Sequence, residues 1–209
     1  MKFQSELKFR SESDNFNSMK LDNKYFILRH GQTTQQVKRK DFVYNWPDKP
    51  PVKLTIKGIS QIKKAARVLK RKKIDIICSS DIYRTRQTAD IVAKELGLRI
   101  NLDKRLRDIN LGAYHGRLKK EFYRDFPDIK KRFTKRPKKG ESWNDLKERV
   151  LDFLKEIDKK HKSKKILIVS HGDPLWLLEG IIRNFSNKNL LAEIFKGRFI
   201  KTGELRKLF

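Results

Sequence analysis

One cysteine stands among 209 residues, so no internal disulfide can form and a reducing compartment fits. No apolar run approaches the ~20 residues that a membrane span requires. The opening stretch, Met1 to Arg10, holds no apolar segment of the kind a secretory signal carries. Together these readings point to a cytoplasmic protein without a membrane partner. Acid is scarce: 25 Asp+Glu face 52 Lys+Arg, a net charge of +27. That excess favours anionic partners without naming one. The lysines are spread along the whole chain, so a solvated surface bias explains them as well as a polyanion site does. No internal repeat and no second core is visible, and the length suits one sizeable α/β domain.

The stretch that organises the rest is Tyr25-Phe-Ile-Leu-Arg29-His30-Gly31. Four apolar residues in a row read as a strand buried on both faces. A cation, an imidazole and a glycine at its end make a poor core. They make a sound floor for an anion site at the carboxyl edge of a parallel sheet, where open α/β folds place their ligands. Residues 1–22 are polar and read as a flexible N-terminal extension, with one domain over 23–209.

Further along, Thr55 caps an expected helix with Ile56, Ile59, Ile62, Ala66 and Leu69 on its apolar face. Ile74–Cys78 reads as a second strand. A helix over 84–96 is stopped by Gly97, and Arg99–Leu102 reads as a short strand. Residues 105–140 form an irregular, basic, lid-like excursion. Ser142 and Asp145 form a capping box for a helix burying Leu146, Val150, Phe153, Leu154 and Ile157. Lys165–Val169 is another buried strand, followed by Ser170-His171-Gly172 and a helix with Pro174 in its first turn. Gly197–Phe209 reads as a final edge strand.

Three strand ends therefore carry chemistry: Arg29-His30-Gly31, Ser79-Ser80 followed by Arg84, and Ser170-His171-Gly172. If these strands are parallel neighbours, two guanidiniums and two imidazoles meet in one crevice. Arginine matches phosphate oxygens in bidentate geometry. A glycine after each histidine, Gly31 and Gly172, would let backbone approach a ligand closely. A neutral imidazole is a competent nucleophile toward phosphorus. Two arginines and a second, charged histidine would then balance phosphoryl charge without a metal.

The same residues resemble the histidine phosphatase superfamily, which includes phosphoglycerate mutase-like enzymes, over about residues 24–180. The Arg-His-Gly hallmark matches Arg29-His30-Gly31, with Thr33 following. Leu-Thr-x-x-Gly-x-x-Gln appears as Leu54 to Gln61, and Ser-Ser-x-x-x-Arg-x-x-Gln-Thr-Ala as Ser79 to Ala89. Gly140-Glu141-Ser142 and His171-Gly172 complete the set. The resemblance implies a three-layer α/β/α sandwich with a mostly parallel central sheet. It implies that His30 becomes phosphorylated, that Arg29, Arg84 and His171 hold the phosphoryl group, and that neither metal nor cofactor is needed. It also implies a general acid at Asp108, where the family usually has Glu. Gln36 stands where Asn is frequent, and His115 replaces a usual acidic residue. Gly31, Thr33, Gln36 and Gly172 are the expected substrate contacts.

The expected activity is metal-independent hydrolysis of a small phosphorylated metabolite. The basic excursion, with Lys119, Lys120, Lys138 and Lys139, points to a substrate carrying more negative charge than one phosphate. Phosphoryl retention, as in a mutase, is an alternative. The compact spacing between the second and third motifs favours hydrolysis over it. Binding of nucleic acid or another polyanion by Lys130–Lys139 and neighbouring aromatics is a further alternative. Those aromatics equally fit small helices packed on a core, which is preferred. Cys78 and Arg84 share the Cys-x5-Arg spacing of cysteine phosphatases. The intervening loop lacks glycine and holds Asp81, which would repel an anion, so a buried strand-end cysteine is the simpler account.

Overall fold

A computed structural model describes residues 20–46 and 48–208. Five strands, β1 (Lys24–Arg29), β2 (Ile76–Ser79), β3 (Ile100–Leu102), β4 (Lys165–Ser170) and β5 (Leu205–Lys207), form one sheet in the order β3-β2-β4-β1-β5. The pairs β1·β4, β2·β4 and β2·β3 are parallel, and β5 runs antiparallel beside β1. The three strands that end in chemistry are thus consecutive neighbours, with Arg29 opposite Ser170 and Ser79 opposite Val169.

Strand alternation builds two cores. Tyr25, Ile27, Ile166 and Ile168 face one side with Leu146, Val150 and Leu154 of the helix α5 (Trp143–Lys160). Phe26, Leu28, Leu167 and Val169 face the other with Ile62, Leu69 and Val92. These last belong to α2 (Ile56–Lys72) and α3 (Tyr83–Leu96). The result is a three-layer α/β/α sandwich. Both faces of β1 and β4 are buried, which is why their sequences read as unbroken apolar runs.

The caps follow the local sequence. Thr55 accepts from Gly58 N, Ser142 and Asp145 form the reciprocal box, and Gly97 closes α3 at φ 68°. Ile56 departs from expectation: it is 89% exposed. The buried positions of α2 are Gly58, Ile62, Ala65, Ala66 and Leu69, a stripe centred roughly 140° away from Ile56 at 100° per residue. Two short helices escape the pattern reading, α1 (Thr34–Lys38) and α7 (Asn187–Phe195), each capped by a hydroxyl, Thr33 and Ser186.

Of the expected N-terminal extension, residues 1–19 lie outside the described residues. Leu21 packs against the core, and Asp22 N and Asn23 N donate to the Asp158 carboxylate, so the packed chain begins before residue 23. The excursion at 105–140 folds as short helical pieces, including α4 (Lys119–Asp125), around buried Phe122, Phe126 and Phe133. Its aromatics mostly pack as core. Among the described residues no helix is long and apolar enough to cross a membrane.

Candidate active site

The carboxyl ends of β1, β2 and β4 converge beneath a cavity of about 340 Å³. His30 follows β1 and is 1% exposed. Its Nδ1 lies 2.9 Å from the Gly31 carbonyl. A carbonyl only accepts, so the neutral ring carries its proton on Nδ1 and keeps a lone pair on Nε2. Burial first, then the Arg84 and Arg29 cations, hold His30 well below the usual imidazole range.

His171 follows β4 and caps α6 (Gly172–Ile182). Its ring centroid lies 5.4 Å from that of His30. Its Nε2 lies 3.0 Å from Ser80 Oγ, which already accepts from Ile82 N. The Ser80 hydroxyl is then best used as the donor, which puts the His171 proton on Nδ1. Burial, Arg84 and His30 hold this imidazole well below its usual range too. The expectation of a charged second histidine is thereby corrected: both rings are neutral near pH 7, and the fixed positive charge comes from the arginines.

Arg84 sits in the first turn of α3, with its side chain 3% exposed. It donates from Nη1 to Asp48 Oδ2 at 3.4 Å and from Nη2 to Asp108 Oδ2 at 3.1 Å, and its guanidinium lies 4.1 Å from the Tyr44 ring centroid. Arg29 donates from Nη1 to the Ile200 carbonyl at 2.7 Å and lies against Phe199. Among the described residues, four buried side-chain polar atoms lack a hydrogen-bond partner: Arg29 Nε, Arg84 Nε, His171 Nδ1 and Asp48 Oδ1. All four belong to this cluster. An unpaired buried donor costs about 1–3 kcal/mol, so three of them around one imidazole mark a place built for an anion.

Asp108 lines the cavity. Its Oδ2 is 3.7 Å from His171 Nδ1 besides its bond to Arg84, and its Oδ1 accepts from Ile109 N. Two further carboxyls were not singled out by sequence. Asp48, raised in pKa chiefly by burial, comes from the loop before α2. Asp173, two residues past His171, accepts from Trp143 Nε1 at 3.2 Å. Burial and the neighbouring Asp108 carboxylate push Asp173 up to about 6. An acidic residue just past the second His-Gly was the available signal for it.

Several expected substrate contacts do other work. A Cβ on Gly31 would sit 2.6 Å from the Gly58 carbonyl oxygen, and one on Gly172 2.8 Å from the Phe199 ring. At both glycines the space a side chain would need is filled by neighbouring protein. Thr33 is buried, caps α1 and shares a 2.7 Å hydrogen bond with Tyr44 Oη. Gln36 borders the cavity, but its Oε1 receives the Thr33 amide. Lys138 and Lys139 are exposed on a turn outside the lining, because their backbone is tied to Ala113 and Asn110. Besides Arg29 and Arg84, the cations that border the cavity are Lys119, Arg132 and Lys135. His115 bridges two loops: it receives Leu111 N at Nε2, meets the Tyr44 carbonyl through Nδ1 at 2.7 Å and stacks on Trp46.

Cys78 is 1% exposed in the α5-side core, and burial pushes its thiol up to about 12. A thiolate is therefore not available there. Among the described residues, no group of three or more His, Cys, Asp or Glu is arranged to hold a metal ion.

Comparison with known proteins places this geometry. A family model described as histidine phosphatase superfamily (branch 1) matches residues 25–192. Phosphoglycerate mutase-like protein 4 of Arabidopsis thaliana is 32% identical over 182 residues, 83% of this chain and 74% of that protein. Phosphoserine phosphatase 1 of Hydrogenobacter thermophilus is 32% identical over 127 residues, 58% of this chain and 60% of that protein. The fold superposes on a mycobacterial glucosyl-3-phosphoglycerate phosphatase with a TM-score of 0.73, at 23% identity over 88% of each chain. The chain belongs to the histidine phosphatase superfamily.

Proposed function

We propose that the protein is a phosphomonoesterase working through a phosphohistidine on His30. The observation that carries this reading is the set of partnerless donors, Arg29 Nε, Arg84 Nε and His171 Nδ1, gathered around an imidazole whose free nitrogen is Nε2. His30 Nε2 bonds to phosphorus as the bond to the ester oxygen breaks. Arg29, Arg84 and the His171 N–H hold the equatorial oxygens, so the developing charge meets donors already in place. The leaving oxygen takes a proton from a carboxyl in the cavity. Water then attacks phosphorus, inorganic phosphate leaves, and the imidazole is restored.

Retaining the phosphoryl group for re-donation needs a pocket closed to water. The Asp108 side chain, on the cavity wall, is 23% exposed, which favours hydrolysis. The cavity's cations, with Trp46, Tyr123 and Trp143 beside them, favour a small substrate carrying a second acidic group near the phosphoryl. The test is hydrolysis of p-nitrophenyl phosphate by the purified chain. His30→Ala is expected to lose at least about 10³-fold in kcat, and an alkaline-quenched digest of the wild type is expected to carry phosphate on His30. Wild-type turnover by His30→Ala would overturn the reading.

A further inference from the structure

Three carboxyls line the cavity. Glu141 accepts from Asn110 N and from Arg149 Nε and Nη2, and the surroundings of Asp108 and Asp173 suit opposite tasks. We infer that Asp173, not Asp108, hands the proton to the leaving oxygen, while Asp108 is held by its hydrogen bond from Arg84. The inference rests on the phosphohistidine mechanism above.

Asp108 is engaged on both oxygens. Its Oδ2 lies 3.1 Å from the Arg84 guanidinium and 3.7 Å from His171 Nδ1, and its Oδ1 accepts from Ile109 N at 3.1 Å. A proton on Oδ2 would have to displace the Arg84 bond.

Asp173 is the reverse case. Its Oδ1 accepts one neutral donor, the Trp143 indole N–H at 3.2 Å, and its Oδ2 receives no hydrogen bond among the described residues. It borders the same cavity. The groups facing it are Asp108 from the excursion, Arg29 from β1, Arg132 from the roof and Trp143 from α5. Burial and Asp108 favour its protonated form, outweighing Arg29, Trp143 and Arg132, so the carboxyl keeps a proton up to about pH 6. Its placement is rigid. Asp173 shares the first turn of α6 with Gly172, where an added Cβ would lie 3.2 Å from the Arg29 guanidinium carbon. A proton carried here travels with the helix that also fixes His171.

In the first step the Asp173 proton passes to the ester oxygen as the phosphorus–oxygen bond breaks and the Nε2–phosphorus bond forms. In the second, the Asp173 carboxylate takes a proton from the attacking water as the Nε2–phosphorus bond breaks. The cycle returns both groups to their starting state, and one water is consumed.

Leaving-group dependence tests this. p-Nitrophenolate departs with little help, whereas the alkoxide of glycerol 2-phosphate needs a proton. Asp173→Asn, which keeps an acceptor for Trp143, is expected to lower kcat/KM about 10²–10³-fold on glycerol 2-phosphate but less than about tenfold on p-nitrophenyl phosphate. It is also expected to abolish the fall in glycerol 2-phosphate turnover as pH rises through the Asp173 titration. Asp173→Glu should recover part of that activity, and unchanged tryptophan fluorescence and melting temperature would establish that both variants fold. Asp108→Asn should affect the two substrates alike and keep the pH-dependent fall. The inference is overturned if Asp108→Asn shows the selective loss, or if Asp173→Asn and Asp173→Glu lose equally on both substrates. Failure of the underlying mechanism looks different: His30→Ala would then hydrolyse both substrates like the wild type.

Discussion

Replacing Gly58 with alanine tests how the first motif is held in place. Gly58 lies in the first turn of α2, and an added Cβ would sit 2.1 Å from the Gln32 carbonyl oxygen and 2.9 Å from Gln32 N. Both are backbone atoms, two residues past His30, so no side chain can swing aside. The same contact is bridged by Thr55 N to the Gln32 carbonyl at 2.9 Å and by Gln32 N to Gln61 Oε1 at 3.0 Å. Forced separation costs about 1–3 kcal/mol as overpacking. The two stretched hydrogen bonds add about 0.5–1.5 kcal/mol each, and alanine's helix preference returns about 1 kcal/mol. The net is about 1–5 kcal/mol, centred near 3, and the central value is a drop of roughly 6–12 °C in Tm for a chain of this size. A displacement of ~1 Å in the His30 loop should also cost ~10²-fold in kcat/KM. Urea denaturation and p-nitrophenyl phosphate hydrolysis measure the two effects. Gly97→Ala is the control: at φ 68° it meets nothing within 4 Å, so about 1–2 kcal/mol should be lost with kcat/KM unchanged. Wild-type stability and activity in Gly58→Ala, or equal losses of activity in both variants, would refute the reasoning.

Acid should destabilise the fold from about pH 6.5 downward, because His30, His171 and His115 all have folded pKa values below the unfolded one. The unfolded chain then binds more protons, and each buried imidazole approaches ~1.4 kcal/mol lost per pH unit; Asp173, raised to about 6, works in the opposite sense, so urea midpoints of Asp173→Asn should fall more steeply with acid. Replacing both Lys138 and Lys139 by Met should leave KM unchanged, whereas Lys135→Met should raise KM about fivefold, roughly 1 kcal/mol, for a substrate with a second acidic group. Asp108→Asn removes the anion that competes for Arg84, so inorganic phosphate should inhibit it about tenfold more tightly, well within the ~4 kcal/mol of a charge pair at 4 Å and effective dielectric 20. Weaker inhibition would contradict the placement of Asp108.

Much of the fold was legible because the strands and long helices carry their own patterns. β1 and β4 are unbroken apolar runs, and α5 announces its start with Ser142 and Asp145. The misread positions are those where neighbours decide. Ile56 is apolar but faces away from the buried stripe of α2, and only the direction of the sheet tells which side is inside. At Gly31 and Gly172, which follow the histidines, it is neighbouring protein that leaves no room for a side chain. Their surroundings are Gly58 on one side and Phe199 on the other, residues 27 positions further along in each case. No periodicity encodes such a contact.

The site divides along the same line. His30, Arg29, Arg84 and His171 stand at strand ends or one turn beyond, so naming the strands was enough to bring them together. Their acidic partners come from irregular segments: Asp48 and Asp108 lie 36 and 24 residues from Arg84 in sequence. A guanidinium buried this deeply requires counter-charge, which a sequence can demand but cannot assign. The physical logic of the centre then follows from what is left over. Among the described residues, the other buried side-chain polar atoms are paired, and partnerless N–H groups are left on Arg29, Arg84 and His171, together with one oxygen of Asp48. A fold selected for stability alone would have closed those bonds. Donors held open around a neutral imidazole suit an anion that arrives and departs, and a phosphoryl group, as proposed above, is one that an imidazole can transfer.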